Sequence, residues 1–461
     1  MVPPGCGKCA ESTHTLYHKV TFPSIRERRF AVKPRNAPDV FLARCREGAS
    51  WCSKKIGPGV VTGAADDDPS GIATYAIAGA SLGYGLLWVA LITAPMMIVV
   101  QEMCARIAMV GGTGLGAAMR KVMPLWLLRA LVFLVVGANT LNIAADIAGM
   151  SSAAELVTRV PSHVWAIGFG VLLIVVEVYA SYRVFASIVK WLCLSLLAYV
   201  VTAFVVRIDW LAALRHTFLP EVSFNRTWMA TFVGFLGTTI TPYLFFWQAA
   251  LEVEEERAMG RTTVTKRRGA TEAEIRASRA DVATGMIFSN AVSWFIVLTT
   301  AATLYAHHVS IATVRDAAEA LRPLAGNGAY LLFAIGVVGA GLLAVPVLAG
   351  SSAYALAEVF RWKSAGLDAK PSSAPAFYAV IALGIAAGVI ADLLQVDAVK
   401  MLFFSAVVNG FVAVPLLVGI WLTGNHKTLM GRWRNRVASN VWIVVTIVLM
   451  AAAAIGVLVT A

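Results

Sequence analysis

After residue 56 the chain is a succession of apolar runs of about 20 residues, separated by short clusters of charged residues, proline and glycine. Eleven runs can be bounded: 56–83, 86–110, 126–152, 161–182, 185–206, 227–256, 281–305, 328–352, 375–394, 398–422 and 437–459. Each is long enough to cross the hydrocarbon layer as an α-helix, so the pattern predicts an all-α polytopic membrane protein. Two runs are interrupted. The first carries Asp66, Asp67, Asp68, Pro69, Ser70 and Gly71 in a row. The sixth carries the stretch Gly237 to Phe246, with Pro242 near its middle. These are the first members of two five-span halves, 1–5 and 6–10. Broken helices in corresponding positions point to an inverted repeat with a binding site near the midplane. An odd number of spans per half sets the halves in opposite orientation. The expected organisation is a basic, disordered cytoplasmic tail over 1–55, a first repeat over 56–208, a second over 226–422, and an appended eleventh helix over 437–461.

Composition agrees with the pattern: 59% of residues are hydrophobic and 14% charged. The formal net charge of +12 raises the question of nucleic acid, but the placement of the charges answers it. With the N-terminus inside, 31 of the 38 lysines and arginines fall in the tail or in inner segments. That asymmetry follows the positive-inside rule. The basic excess is therefore a topology signal and excludes a nucleic-acid partner. It places the N-terminus in the cytoplasm and the C-terminus outside, in a plasma membrane. The tail has no apolar core of a signal peptide. Its Cys6 and Cys9 have metal-ligand spacing without a second pair, and reduced thiols are the simpler reading.

Carboxylates in hydrocarbon are costly, and a proline leaves backbone groups unbonded. Both defects are tolerated only where the chain is buried in protein or lines a wet cavity. A cation satisfies both at once. A hard divalent ion takes carboxylates, carbonyls, hydroxyls and retained waters. Asp68 with the carbonyls around Ala65, and Thr241 with the carbonyls around Thr238, form such a set. Asp66 and Asp67 fit either the same site, where Asp67 is counted among the metal candidates, or a wet vestibule beside it. No enzyme constellation is present; His307 and His308 stand without matching partners.

The stretch Gly57 to Trp88, with its Gly-Pro-Gly start, Asp-Pro break and Gly-Tyr-x-Leu-Leu-Trp end, resembles the first-helix region of the NRAMP family of divalent-metal transporters. Gln101 to Gly116 resembles the end of that family's second helix, and Gly237 to Glu256 its sixth. The resemblance runs in register over most of the chain after residue 56. It implies a LeuT-like fold, a 5+5 inverted repeat with broken helices 1 and 6 plus an eleventh helix. It also implies metal-ion import by alternating access, with the ion as transported substrate and no cofactor, in a monomer or weak dimer.

The departures from the family pattern bear on cargo. Asp68 keeps the metal-binding aspartate. The asparagine ligand of the family becomes Gly71, the methionine Thr241, and the histidine after the proline Tyr243. The glutamine of helix 10 becomes Ala406, with Asn409 one turn on as a substitute. A thioether favours transition metals, and a hydroxyl in its place removes that preference. Fewer side-chain ligands leave room for retained waters, which suits magnesium. The pattern resembles the NRAMP-related branch that carries Mg2+, with Mn2+ as companion. Proton coupling is expected to be weak or absent, because Tyr243 does not titrate near neutrality and the acidic pair of helix 3 is reduced to Asp146 with Gly149 beside it.

Smaller assignments complete the reading. Asn139 and Asn142 are candidates for contact with a hydrated ion, and Gln248 for the path. Glu177 and Lys190 are expected to be structural. Glu252, Glu254, Glu255 and Glu256 are expected at a solvated helix end, and 257–280 as a solvated basic loop. Two rivals remain: a proton-coupled Mn2+/Fe2+ symporter of the same family and, against the repulsion of three aspartates, a sodium-coupled amino-acid symporter.

Overall fold

Proline opens a helix without penalty, because the N–H it lacks has no partner in the first turn. The chain uses this device twice. The computed structural model describes residues 57–179, 194–362, 366–367, 369–394 and 396–460. The tail with Cys6 and Cys9, and also Lys190, lie outside the described residues. Helix α1 (Pro58–Asp66) stops at Asp67 (φ −83°, ψ 57°). Asp68 is extended (φ −72°, ψ 168°), as a residue before proline prefers, and Pro69 opens α2 (Pro69–Leu82).

Gly83, at φ 58°, begins a 3-10 turn that separates α2 from α3 (Leu87–Gly111). A short α4 (Leu115–Met119) leads to the long α5 (Leu125–Thr158), followed by α6 (Ser162–Tyr179). The described part of the expected fifth span holds α7 (Leu197–Val205). The expected outer loop 209–225 contains α8 (Trp210–Phe218). The sixth span repeats the first break. Helix α9 (Arg226–Thr239) ends at Ile240, Thr241 is extended (φ −87°, ψ 136°), and Pro242 opens α10 (Pro242–Ala258). A short α11 (Val264–Arg267) precedes α12 (Glu272–Thr303). Then come α13 (Val314–Glu319), α14 (Arg322–Ala325), α15 (Ala329–Phe360) and α16 (Pro375–Leu393). The chain closes with α17 (Ala398–Asn425), α18 (Lys427–Met430) and α19 (Val437–Thr460). Among the described residues there is no strand.

Nine stretches among the described residues are long and apolar enough to cross a membrane. One of them, Pro69–Gly111, is 43 residues long and contains the Gly83 turn, so it supplies parts of two expected spans. Unbroken, it would run about 65 Å, twice the hydrocarbon thickness. Burial ranks the spans. The apolar window of Arg226–Ala258 is 94% buried, against 28% for Val437–Thr460 and for Ser162–Tyr179. The broken sixth span is thus a central post, and the last helix lies at the edge. Exposed Phe133, Val171, Leu383 and Val448 give the outer helices an apolar surface suited to lipid.

The short α1 is held against α12 by backbone. A side chain at Gly59 would collide with the backbone of Asp281 and Val282, and one at Gly63 with that of Gly285. Small residues allow this close approach between membrane helices. Asp281 of α12 also closes the N-terminus of α1, accepting from the amides of Gly57 (3.2 Å) and Gly59 (2.6 Å). A second tie runs from Thr62, which donates to Gln248 of α10 (2.7 Å). Gln248 donates to Glu252 (3.1 Å), and Ser278 of α12 donates to the same carboxylate (2.8 Å).

Two expectations for the inner end of the sixth span are corrected. Glu252, Glu254 and Glu256 are buried rather than solvated. Each has a specific partner: Ser278 and Gln248 for Glu252, Tyr354 for Glu254, and Arg261 for Glu256. The basic segment 257–280 is likewise not an open loop. Arg267 is buried and donates to the carbonyls of Gly112, Arg261 and Thr262. Helix α12 starts at Glu272 on a Thr271/Glu274 capping box, well before the apolar run begins. Periodicity alone cannot find this, because the first turns of α12 pack through polar groups.

The contact of α1 with α12 leads to a stability prediction. Gly63→Leu or Gly285→Leu must push two backbones apart, at a cost of about 1–3 kcal/mol or more. Both variants are expected to melt earlier than the parent, or to lose the monodisperse peak, in size-exclusion thermal-shift measurements in detergent. Unchanged melting would show that α1 is not clamped there.

Candidate functional site

Three adjacent residues of a broken helix cannot point the same way, and the three aspartates divide accordingly. Asp66 and Asp67 turn toward α12, where the one hydroxyl of Ser289 meets Asp66 Oδ2 and lies 3.2 Å from Asp67 Oδ1. The second oxygen of Asp66 is buried without a partner. Asp68 turns the other way, into the crossing of the two breaks. Its Oδ1 caps α2, accepting from the Gly71 amide (2.6 Å) and the Ser70 hydroxyl (2.7 Å). Its Oδ2 faces Asn142 Nδ2 of α5 (3.2 Å) and the Tyr243 hydroxyl of α10 (3.1 Å).

Tyr243 has one proton and two acceptors. Its oxygen lies 3.1 Å from the Ala65 carbonyl and 3.1 Å from Asp68 Oδ2, so it can satisfy one of them at a time. Ala65 supplies a free carbonyl at the end of α1, as expected. The second break contributes differently. Thr241 sits at the N-cap of α10, yet its hydroxyl caps nothing and is buried without a partner. The Thr238 hydroxyl is also buried and unpartnered, as are both polar atoms of Asn409 on α17. Thr238 lies at the crossing. A β-carbon added at Gly71 would stand 3.2 Å from its Oγ1 and 3.3 Å from Asp68 Oδ1. Buried polar atoms that lack a protein partner are commonly met by water or by a bound group.

The structure therefore brings Asp68, Ala65, Gly71, Thr238 and Tyr243 together, with Gly71 acting through its amide and its lack of a side chain. Thr241 and Asn409 are presented as buried, uncommitted groups on the neighbouring elements. Asp67 is drawn off to Ser289. None of the ion pairs among the described residues involves Asp66, Asp67, Asp68 or Asp146. Among the same residues no three acidic, histidine or cysteine side chains converge as a metal-holding group. A cation here would rest on one carboxylate and a set of neutral oxygens.

Other candidates separate by role. Asp146 is fully buried on α5, one turn from Asn142, and no side chain donates to it. Asn139 donates to Leu348 O, Ser351 and Ser352 of α15 at 3.3, 3.0 and 2.9 Å, which is a packing role. The Ala406 carbonyl is in close contact with Gly237, so that position joins α9 to α17. Glu177 is buried near the end of α6, and its expected companion Lys190 falls outside the described residues. Sequence reasoning missed Ser289 and Asp281. Their signal was present: Asp281, Gly285 and Ser289 recur every fourth residue and form one stripe of α12. A cavity of about 850 Å3 is lined by Glu155 of α5 and Arg159 just beyond it, Arg315 of α13, Tyr330 of α15, and Asp397 at the start of α17.

The family model described as natural resistance-associated macrophage protein-like matches residues 59–460. A relative named divalent metal cation transporter MntH, from Verminephrobacter eiseniae, is 26% identical over 437 residues, covering 91% of each chain. Among solved structures, a manganese transporter from Eremococcus coleocola superposes with a TM-score of 0.68 at 15% identity, covering 87% of this chain and 86% of its own. Mhp1, a nucleobase-cation-symport-1 family transporter, superposes with a TM-score of 0.54 at 13% identity, covering 88% and 90%. The fold is LeuT-like, and among the described residues its first and sixth spans are the broken ones.

The shared hydroxyl at Asp66 and Asp67 can be tested by itself. Ser289→Ala leaves two buried carboxylates without their donor, at a cost of about 1–3 kcal/mol. A lower melting temperature is expected, with partial recovery in Ser289→Ala/Asp66→Asn. A single variant as stable as the parent would show that Ser289 does not hold the pair.

Proposed function

The chain belongs to the natural resistance-associated macrophage protein-like (Nramp) family, and on that premise we propose that it imports divalent metal ions, Mg2+ foremost and Mn2+ beside it, by alternating access. One observation carries the reading. At the crossing of two helix breaks, the carboxylate of Asp68 stands with the carbonyl of Ala65 and near the Thr238 hydroxyl, while neighbouring elements carry the buried, uncommitted side chains of Thr241 and Asn409. These side-chain donors are oxygen-rich and hard. Thr241 stands where the family resemblance implies a thioether, so the preference for softer transition metals is removed. One negative charge and neutral oxygens suit an ion that keeps part of its water, as magnesium does.

The path fits the same reading. Asp146 and Asn409 lie on α5 and α17, and the cavity lined by Glu155 and Asp397 lies at the ends of those two helices. Nine residues of helix, about 14 Å, separate Asp146 from Glu155. We assign this cavity to the outer face, the N-terminus to the cytoplasm and the C-terminus to the outside, following the distribution of basic residues. The repeats span 56–208 and 226–422, with 437–461 appended, in a monomer or weak dimer in the plasma membrane. Release inward requires α1 to leave Asp281 and Gln248. Transport runs with weak or no proton coupling, driven by the membrane potential. A dication gains about 4.6 kcal/mol per 100 mV, twice the value for a single charge.

The second reading, a proton-coupled Mn2+ or Fe2+ symporter, is favoured by one feature, the buried Asp146 beside the site. One experiment separates the two. In proteoliposomes holding a magnesium-sensing dye and, in parallel, a pH dye, magnesium entry without acidification is expected. Manganese-only entry accompanied by protons would establish the second reading. Asp68→Ala is expected to abolish transport of every divalent ion, and retained flux would remove the site. Thr241→Met is expected to raise the cadmium-to-magnesium flux ratio about tenfold or more; an unchanged ratio would mean that Thr241 does not face the ion.

A further inference from the structure

We propose that Asn142 is a direct ligand of the transported ion, its side-chain oxygen entering the coordination shell from α5. The inference rests on the reading of Asp68 as the ion's carboxylate. It adds α5 to the ligand set, beside the two broken spans and α17.

The two oxygens of Asp68 are held unequally. Oδ1 serves its own helix through short bonds to Gly71 N (2.6 Å) and Ser70 Oγ (2.7 Å). Those donors belong to the α2 cap, and removing them costs the helix its N-terminus. Oδ2 receives only long bonds, from Tyr243 (3.1 Å) and Asn142 (3.2 Å). Oδ2 is therefore the oxygen that gives up its donors to a cation most easily.

Asn142 is fully buried, and its own Oδ1 has no partner. In this arrangement the amide turns its N–H toward the carboxylate because two oxygens facing each other would repel. A dication on Asp68 Oδ2 reverses the preference. An N–H pointing at a cation is repelled, and an amide oxygen is attracted. Half a turn about the last side-chain torsion exchanges Nδ2 for Oδ1, with no movement of α5, since this torsion is soft and roughly two-fold. The group presented is a neutral carbonyl oxygen, a hard donor suited to magnesium. It supplies from α5 the amide that the first span lacks at Gly71. The neighbouring Asn139 shows the contrast, because its amide nitrogen is committed to α15.

The test uses full-length protein in liposomes and two ions, Mg2+ and Cd2+. A ligand at position 142 predicts that Asn142→Cys raises the cadmium-to-magnesium flux ratio about tenfold or more above Asn142→Ala, with more sulfur-to-cadmium charge-transfer absorption than the native cysteines give in the alanine variant. A residue that only steadies Asp68 predicts equal ratios and equal absorption, and that result overturns the inference. If Asp68→Ala still binds divalent ions, the site reading itself fails; if it does not, while Asn142→Cys and Asn142→Ala behave alike, only the assignment of Asn142 fails.

Discussion

A carboxylate removed from water must be met by donors or by a cation, and the crossing of the two broken spans is organised around that requirement at Asp68. Its four donors come from three places in the chain: Ser70 and Gly71 next to it, Asn142 on α5, and Tyr243 on α10. The first span, the third and the sixth thus meet on one functional group. The proline that breaks the helix also frees the carbonyl of Ala65, and Tyr243 addresses that carbonyl with the same proton it offers Asp68.

The two halves use one backbone device and give it different chemistry. In both, an extended residue precedes a proline that opens the second helix. In the first half that residue is an aspartate whose side chain caps the new helix. In the second it is a threonine whose side chain caps nothing. One break spends its side chain on structure and charge together, and the other leaves a hydroxyl uncommitted. A pseudo-symmetric scaffold thereby yields two breaks of unlike chemistry.

Much of this was legible in the sequence because membrane helices leave long apolar runs and because Asp-Pro and Thr-Pro are conspicuous inside them. The eleven runs, the two breaks, and the gathering of Asp68, Ala65, Gly71, Thr238 and Tyr243 all follow from those signals. What was not legible depends on direction. Composition treats Asp66, Asp67 and Asp68 as one acidic patch, whereas the unwound backbone sends two of them to Ser289 and one to the crossing. The glutamates ending the sixth span read as solvated because charge normally marks a surface, yet they are buried against Ser278, Tyr354 and Arg261. Ser289 and Asp281 escaped notice because a stripe of small and polar residues on a helix gains meaning only when its partner helix is known.

The seam between α1 and α12 has a consequence for how closure responds to surroundings. Where Gly59 and Gly63 meet Val282 and Gly285, the touching atoms are backbone, uncharged and the same in any solvent. Ionic strength and acidity act on charges and polar side chains, so they leave that stretch untouched. Sensitivity is confined to three polar ties: Asp281 on two amides at the start, Thr62 to Gln248 at mid-helix, and Ser289 to Asp66 at the end. An element of nine residues, too short to persist as an isolated helix in water, is thus kept in shape by a neighbour's backbone, and its tuning is left to those few polar atoms.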